Sequence, residues 1–469
     1  VPEATVTSNR SAAAPSGAAD PAGRFSPDAV ASFTYDRYEL DLAAGHLSCH
    51  YLLDDVPFVE HVQLPPARPD VDPTAADRAA RLVFLLAGVS YYKAAAPPVA
   101  DLGPHALTPN EAAMLRAFYV DGLGEYAFRN GLDLTALELR HEHADPSPIA
   151  TGVSPTRPLV PFGGGIDSIV SVETVRARHP DTALFVVSRL GDRFAAIEDA
   201  AAVAGLPVVR AGRELDPKIL RSRELGFRNG HIPVTGIISS IAVLAAVLDG
   251  RGQVVMSNEW SASSGNVEHQ GRTVNHQYSK SLAFEDLLRA ALADAFTDGP
   301  DWFSLLRPFS ELAIARRFAT LRAYHPVFRS CNRAFHLDAD ARHATWCGTC
   351  DKCCFIDLIL APFVPAADLR AVFGGREPLG NPDTLPVLRT LLDLGEGPKP
   401  FECVGEVTEC RAAVQLAAAR PDRAGQPVLE QLVAAIGPHG VAPAELATLL
   451  APIGRHHLPA GYAAHDLLG

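Results

Sequence analysis

Long apolar runs and positive charge are both scarce in this chain of 469 residues. No stretch reaches eighteen consecutive apolar residues, so no membrane span is predicted. Lys and Arg number 41 against 54 Asp and Glu, a formal net charge of −13. That balance argues against general nucleic-acid binding, and an anionic small molecule would need a local basic cleft. No secretory leader is legible either. Val30–Phe33 is too short for its apolar core, and Val1–Ser26 has the wrong composition. Of eight cysteines, Cys347, Cys350, Cys353 and Cys354 fall within eight residues of sequence, while Cys49, Cys331, Cys403 and Cys410 are scattered. Such clustering speaks for metal chemistry in a reducing, cytoplasmic setting and against a disulfide framework. No internal repeat is present.

What remains is an ordinary globular composition, 48% hydrophobic and 20% charged, at a length that predicts two or three domains. Residues 1–27, rich in Ala, Ser, Gly and Pro, are expected to be a disordered tail. Residues 28–150 read as an α+β domain. Short alternating segments from Ser32 to Val62 predict an antiparallel meander, and Arg81–Tyr92 and Asn110–Asn130 predict helices. His141–Pro158 reads as a linker. From Leu159 strands and helices alternate: strands at Leu159–Phe162, Ala183–Ser188, Pro207–Arg210 and Gln253–Ser257, helices at Asp167–Arg178, Ala195–Ala204 and Ile232–Leu248. This alternation predicts an α/β unit over 151–365, a parallel, doubly wound sheet covered by helices on both faces. Residues 366–469, broken often by Pro and Gly, are expected to be mostly helical.

The densest signal is Leu159-Val160-Pro161-Phe162-Gly163-Gly164-Gly165-Ile166-Asp167-Ser168. A glycine loop between strand and helix gathers backbone N–H groups at a helix N-terminus, a geometry that suits phosphates. An N-capped glycine turn without a ligand is the plainer alternative. No Gly-Lys-Ser/Thr ending follows, so this is not the common phosphate loop, and Gly-x-Gly-x-x-Gly is not matched either.

Three further constellations carry chemistry. Cys347-x-x-Cys350-x-x-Cys353 is a double C-x-x-C, and Cys331 lies upstream. Together they make a four-sulfur set that suits a structural Zn²⁺, with Trp346 and Phe355 as its shield. Cys354 could replace a neighbour. Buried free thiols, or a thiol used for proton transfer, are the other readings. Arg228 and Gly230-His231-Ile232-Pro233-Val234-Thr235 precede the long apolar helix and could face a phosphate or carboxylate, or His231 and Thr235 simply cap it. Ser257-Asn258-Glu259 follows a sheet strand, where open α/β sheets place their sites. The polar run Ser261–Lys280 holds His269, Arg272, His276, Tyr278 and Lys280, and is expected to be an irregular substrate loop carrying acid and base.

The glycine phrase resembles the Ser-Gly-Gly-x-Asp-Ser loop of the PP-loop ATP pyrophosphatases, with Gly163 in place of the first Ser. That resemblance implies a sheet of PP-loop type, cleavage of ATP to AMP and pyrophosphate, and ATP and Mg²⁺ as cofactors. It implies ATP contacts at Gly163, Gly164, Gly165, Asp167, Ser168 and Ser188, with Asp167 positioning pyrophosphate or its Mg²⁺. The 7-cyano-7-deazaguanine synthases of the same superfamily carry a similar cysteine cluster with zinc. Several phrases together narrow the likeness: Phe33-Thr34-Tyr35, Gly230-His231-Ile232-Pro233-Val234-Thr235, Ser257-Asn258-Glu259, Val274-Asn275-His276-Gln277-Tyr278-Ser279-Lys280 and Trp346–Cys353. In combination they resemble the family of ATP-dependent epimerases that invert the terminal L-Glu of a UDP-N-acetylmuramoyl dipeptide. The expected partner is therefore that UDP-sugar dipeptide, with no nucleic acid and no membrane. His276, Lys280 and Tyr278 are expected beside Asp167 as catalytic groups. Arg228, His231, Asn258, Glu259 and Arg272 are expected on the substrate. A PP-loop ligase or amidotransferase shares the ATP residues and stays open, as does a non-catalytic nucleotide-binding regulator. Oligomeric state is not legible.

Overall fold

The structure is a computed structural model that describes residues 25–269, 271–336, 339–395 and 400–468. The expected tail lies outside the described residues except for Phe25–Pro27. There Phe25 packs edge-on against Phe227, ring centroids 4.7 Å apart.

The meander forms as expected from β1 (Ser32–Asp41), β2 (His46–Leu53) and β3 (Val56–Gln63), all paired antiparallel. Alternation decides its buried face: Leu47, Cys49, Tyr51 and Leu53 point inward along β2. Two short strands, β4 (Val99–Asp101) and β5 (Glu138–Arg140), extend it in parallel beyond β1. The second half supplies β6 (Ser154–Pro161), β7 (Ala183–Ser188), β8 (Val208–Glu214) and β9 (Arg251–Met256). A two-stranded ribbon of β10 (Val267–His269) and β11 (Arg272–Val274) follows, and then β12 (Asp301–Ser304).

Ten strands form one continuous mixed sheet in the order β12-β9-β6-β7-β8-β3-β2-β1-β4-β5. The seam between the two sequence-predicted units is the antiparallel pair β3–β8, with Val62 opposite Arg213. Arg213 reaches across it to the fully buried Glu60 at 2.7 Å, and the Tyr91 hydroxyl donates to the same carboxylate at 3.0 Å. A buried charge needs such partners, and here they join the halves of the sheet.

Side chains alternate between two cores on the sheet's two faces. Leu159, Phe185, Val254 and Trp302 enter one core; Val160, Leu184, Val255 and Phe303 enter the other. Helix Val234–Asp249 is apolar nearly all round because it is buried on one face, packed against helix Pro73–Ala87 and the sheet. Helices Ile166–Arg176 and Glu311–Phe318 cover the other face, with the C-terminal helices beyond them. Among the described residues, no single helix is long and apolar enough to cross a membrane.

Strand β6 sits between β7 and β9. The chain leaves β6 toward β7 and β8, then crosses back to β9 on the other side. The carboxyl end of β6 is thus the point where strand order reverses, and a crevice opens there in sheets of this kind. One sequence expectation is corrected in the same region. The run Ser261–Lys280 is not an irregular loop: it folds as a short 3-10 turn, the β10–β11 ribbon and a second 3-10 turn at Tyr278–Lys280. The ribbon forms because Val267 and Thr273-Val274 alternate with polar residues, and Gly271 takes φ +73° at its connection.

Candidate functional site

The glycine loop ends β6 and opens helix Ile166–Arg176, with Gly165 at the N-cap. Gly164 adopts φ +72°, and a Cβ there would lie 2.5 Å from the Ala196 carbonyl oxygen. Gly163 is exposed with open space around it, so the backbone does not require glycine at that position. Ser168 Oγ donates back to the Gly165 carbonyl at 3.1 Å. Ser188, at the carboxyl end of β7, donates to the Asp192 carbonyl at 3.0 Å and thus closes its own turn.

Three carboxylates converge beside this loop. Oxygens of Asp167, of Glu259 just past β9, and of Glu311 at the start of its helix lie within 4.8 Å of one another. Asp167 Oδ1 is buried and has no hydrogen-bond partner. Burial, then the Glu259 charge, pushes the Asp167 carboxyl up to about 6, against the pull of Lys352 and Lys280. Burial with the Asp167 and Glu259 charges drives Glu311 well above the usual carboxylate range. Glu409 stands behind, accepting the Glu311 backbone N–H at 2.8 Å, and burial raises its carboxyl to about 7. Three crowded, desolvated carboxylates with an orphaned oxygen have the donor chemistry of a hard divalent cation such as Mg²⁺.

Arg307, essentially buried, fixes the frame of this group. Its guanidinium pairs with the buried Glu285 at 3.2 Å, donates to the Glu259 carbonyl at 2.6 Å, and donates to the Lys280 carbonyl. One residue therefore ties the end of β9 to the Tyr278–Lys280 turn. Asn258 Nδ2 donates to Ser304 Oγ at 2.9 Å and links β9 to β12.

Next to the acidic group lies a second cluster. His276 Nδ1 contacts Glu125 Oε2 at 2.5 Å, and His231 Nδ1 stands 4.0 Å from the same oxygen. The two imidazole rings lie 4.1 Å apart. Asn266 holds this arrangement, accepting the His276 N–H at 2.9 Å and donating to the Pro400 carbonyl at 3.0 Å. Burial works against protonation of His276, but hydrogen bonds with Cys403 and Glu125 outweigh it and raise the imidazole to about 9. Burial, then the charged His276, lowers His231 to about 4. His276 is therefore an imidazolium at neutral pH, with a neutral histidine beside it. Lys280 donates to Gln277 Oε1 at 3.1 Å and to Cys403 Sγ at 3.4 Å, and it lies within electrostatic reach of Glu259 and Asp167.

The four cysteine sulfurs of Cys331, Cys347, Cys350 and Cys353 also come within 4.8 Å of one another. Sulfurs around a tetrahedral zinc at ~2.3 Å stand roughly 3.8 Å apart, and Cys347 and Cys353 are 3.6 Å apart. The set fits Zn²⁺. Cys354 is buried outside the set, near Asp357, while Trp346 packs on Phe328 and Phe373. Cys350 caps helix Asp351–Leu360, whose first turn carries Lys352 over the Phe355 ring to the Cys403 carbonyl. The cysteine knuckle thus delivers a lysine to the acidic group.

Other sequence-predicted residues are engaged elsewhere. Arg228 bonds the Ala95 carbonyl and Asp28. Arg272 pairs with Asp121 on the exposed side of the ribbon. Tyr278 turns toward Phe284, and its charged neighbours are Asp121 and Arg272. His269 packs edge-on against Phe128. Sequence reading missed Glu125, Arg307, Glu311, Cys403 and Glu409 here, because each is an isolated residue brought in by tertiary packing.

Comparison with known proteins shows the family. Residues 24–305 match the MurL N-terminal domain and residues 327–446 the MurL C-terminal domain. The chain belongs to the MurL family. It is 43% identical over 443 residues to the UDP-N-acetyl-alpha-D-muramoyl-L-alanyl-L-glutamate epimerase of a Micromonospora species, covering 92% of this chain and 97% of that one. The proteins of that name from Salinispora tropica and Xanthomonas oryzae pv. oryzae are 41% and 38% identical. Each alignment covers 93% of this chain, and 95% and 96% of theirs. No solved structure matches the chain. This MurL-family chain is an enzyme, an isomerase of the epimerase kind.

Proposed function

We propose that the chain inverts the terminal L-Glu of UDP-N-acetylmuramoyl-L-Ala-L-Glu to D-Glu, in peptidoglycan precursor synthesis, through an acyl-adenylate made from ATP. The observation that carries this is the adjacency of two clusters. The Asp167–Glu259–Glu311 group, at the glycine loop, lies beside Lys280 and the His276–Glu125 pair.

The chemistry needs both. A free carboxylate keeps its α-proton very weakly acidic, since the enolate would carry adjacent negative charge. Conversion to a mixed anhydride with AMP removes that obstacle and lets a modest base act. The glycine-loop N–H groups and Ser168 would bind the leaving pyrophosphate. Asp167, Glu259 and Glu311 would hold Mg²⁺, which neutralises phosphate charge when bound. Lys280 and Lys352 add positive potential on the same side. His276, held protonated by Glu125, stands beside them as an acid–base group for α-proton transfer, in which one C–H bond is broken on one face and re-formed on the other. Hydrolysis of the adenylate then frees AMP and the D-epimer.

Two variants separate the halves. Asp167→Asn is expected to suppress ATP-to-AMP turnover, read by AMP release. His276→Ala is expected to abolish α-proton exchange in D₂O, read by NMR. Normal AMP release in the first, or unchanged exchange in the second, would contradict the assignment.

A further inference from the structure

Cys403 has no counterpart among the residues a sequence reading picks out, yet three separate elements converge on it. Lys280, from the Tyr278–Lys280 turn, donates to Sγ at 3.4 Å. His276, on the strand-to-turn connection before it, lies close enough to act electrostatically on the same sulfur. Lys352, from the cysteine-knuckle helix, donates to the Cys403 carbonyl and adds its charge. Behind His276 stand Glu125 and His231, and beyond Lys280 stand Asp167 and Glu259. The unpartnered, buried Oδ1 of Asp167 marks the same locality as one built to receive something else. Cys403 is half-buried, whereas Cys49, Cys354 and Cys410 are fully enclosed. Two cationic side chains directed at one sulfur favour the thiolate.

We propose that Cys403 is the base that removes the α-proton of the activated glutamyl residue, working as a thiolate–imidazolium pair with His276; this rests on the epimerase reading above. The thiolate takes the proton: the Cα–H bond breaks, an S–H bond forms, and the electron pair passes to the acyl-adenylate carbonyl as an enolate. His276, beside the thiolate, lies on the same side of the carbon, so water returns the proton to the other face of the enolate. The thiol then gives its proton to the hydroxide left behind, which restores the thiolate beside the imidazolium, and no external oxidant or reductant is involved. Burial alone would raise the Cys403 thiol, but Lys280, His276 and Lys352 bring it down to about 7. The competent form, thiolate beside imidazolium, forms as pH rises through about 7 and is lost as it rises through about 9, where His276 deprotonates. A bell with its plateau between these values is the expected profile for α-proton exchange.

The test uses the full chain with UDP-N-acetylmuramoyl-L-Ala-L-Glu and Mg-ATP in D₂O, comparing wild type with Cys403→Ser. The serine variant is expected to lose α-proton exchange by roughly 10²–10⁴-fold while pyrophosphate release from ATP persists. Exchange within threefold of wild type would overturn the proposal and leave the epimerase reading intact. Failure of the wild type itself to exchange or to make D-Glu would instead sink the epimerase reading and this proposal with it. Iodoacetamide alkylation of the wild type, mapped by mass spectrometry, guards against a misfolded variant. Cys403 should alkylate with a midpoint near pH 7, move upward in His276→Ala, and be protected by substrate. An ordinary thiol midpoint near ~8.5, unmoved by His276→Ala, would overturn the assignment.

Discussion

At Gly164 the backbone takes a left-handed conformation against the Ala196 carbonyl, and no side chain fits there. Gly164→Ala is therefore expected to cost about 1–2 kcal/mol from the left-handed strain, with the clash added, and to displace the loop. The checks are a lowered denaturation midpoint together with loss of AMP formation. Wild-type behaviour in both would mean that the loop tolerates a side chain and does not grip phosphate as argued. At this scale the sequence was most legible where chemistry is local. Asp167 and Ser168 sit in one continuous phrase with the glycines. Glu311 offered no such signal, since it is one acidic residue at a helix start and its partners lie over fifty residues away. Cys403 was equally silent, because what distinguishes it is the approach of Lys280 and His276, which no spacing encodes.

Among the elements, the cysteine knuckle and the polar run teach opposite lessons. The double C-x-x-C fixes three sulfur positions through short turns that can be read from spacing, and the fold brings the distant Cys331 to them. If it holds zinc, the protein as purified should carry about one zinc per chain, and Cys350→Ser should lose metal and melt earlier. The readouts are elemental analysis and a thermal scan. A metal-free wild type that melts at the same temperature as the variant would contradict this reading. The coupling has a functional side, because the same turn carries Lys352 toward Cys403 and the carboxylates. The polar run was expected to be irregular because its composition is polar. Its order comes from Asn266, Asn275 and Arg307, which pair with backbone groups on other elements, and composition cannot report such pairings.

For the molecule as a whole, one sheet spans what the sequence divides. The linker-like composition of 141–158 suggested a boundary, but β3 and β8 pair across it and bury the Glu60–Arg213 ion pair there. That pairing joins strands over a hundred residues apart, so no local pattern announced it. The consequence is a composite site. The N-terminal half contributes Glu125, two helix starts contribute Asp167 and Glu311, the end of β9 contributes Glu259, and the C-terminal region contributes Cys403. Activation and proton transfer would then occur in one enclosure, which limits loss of the acyl-adenylate to water. Incubation with UDP-N-acetylmuramoyl-L-Ala-L-Glu and Mg-ATP, with AMP and glutamate chirality assayed together, tests this most directly. D-Glu is expected to appear with AMP and without a nitrogen co-substrate. AMP formed only when an amine is supplied, with glutamate still in the L form, would contradict it.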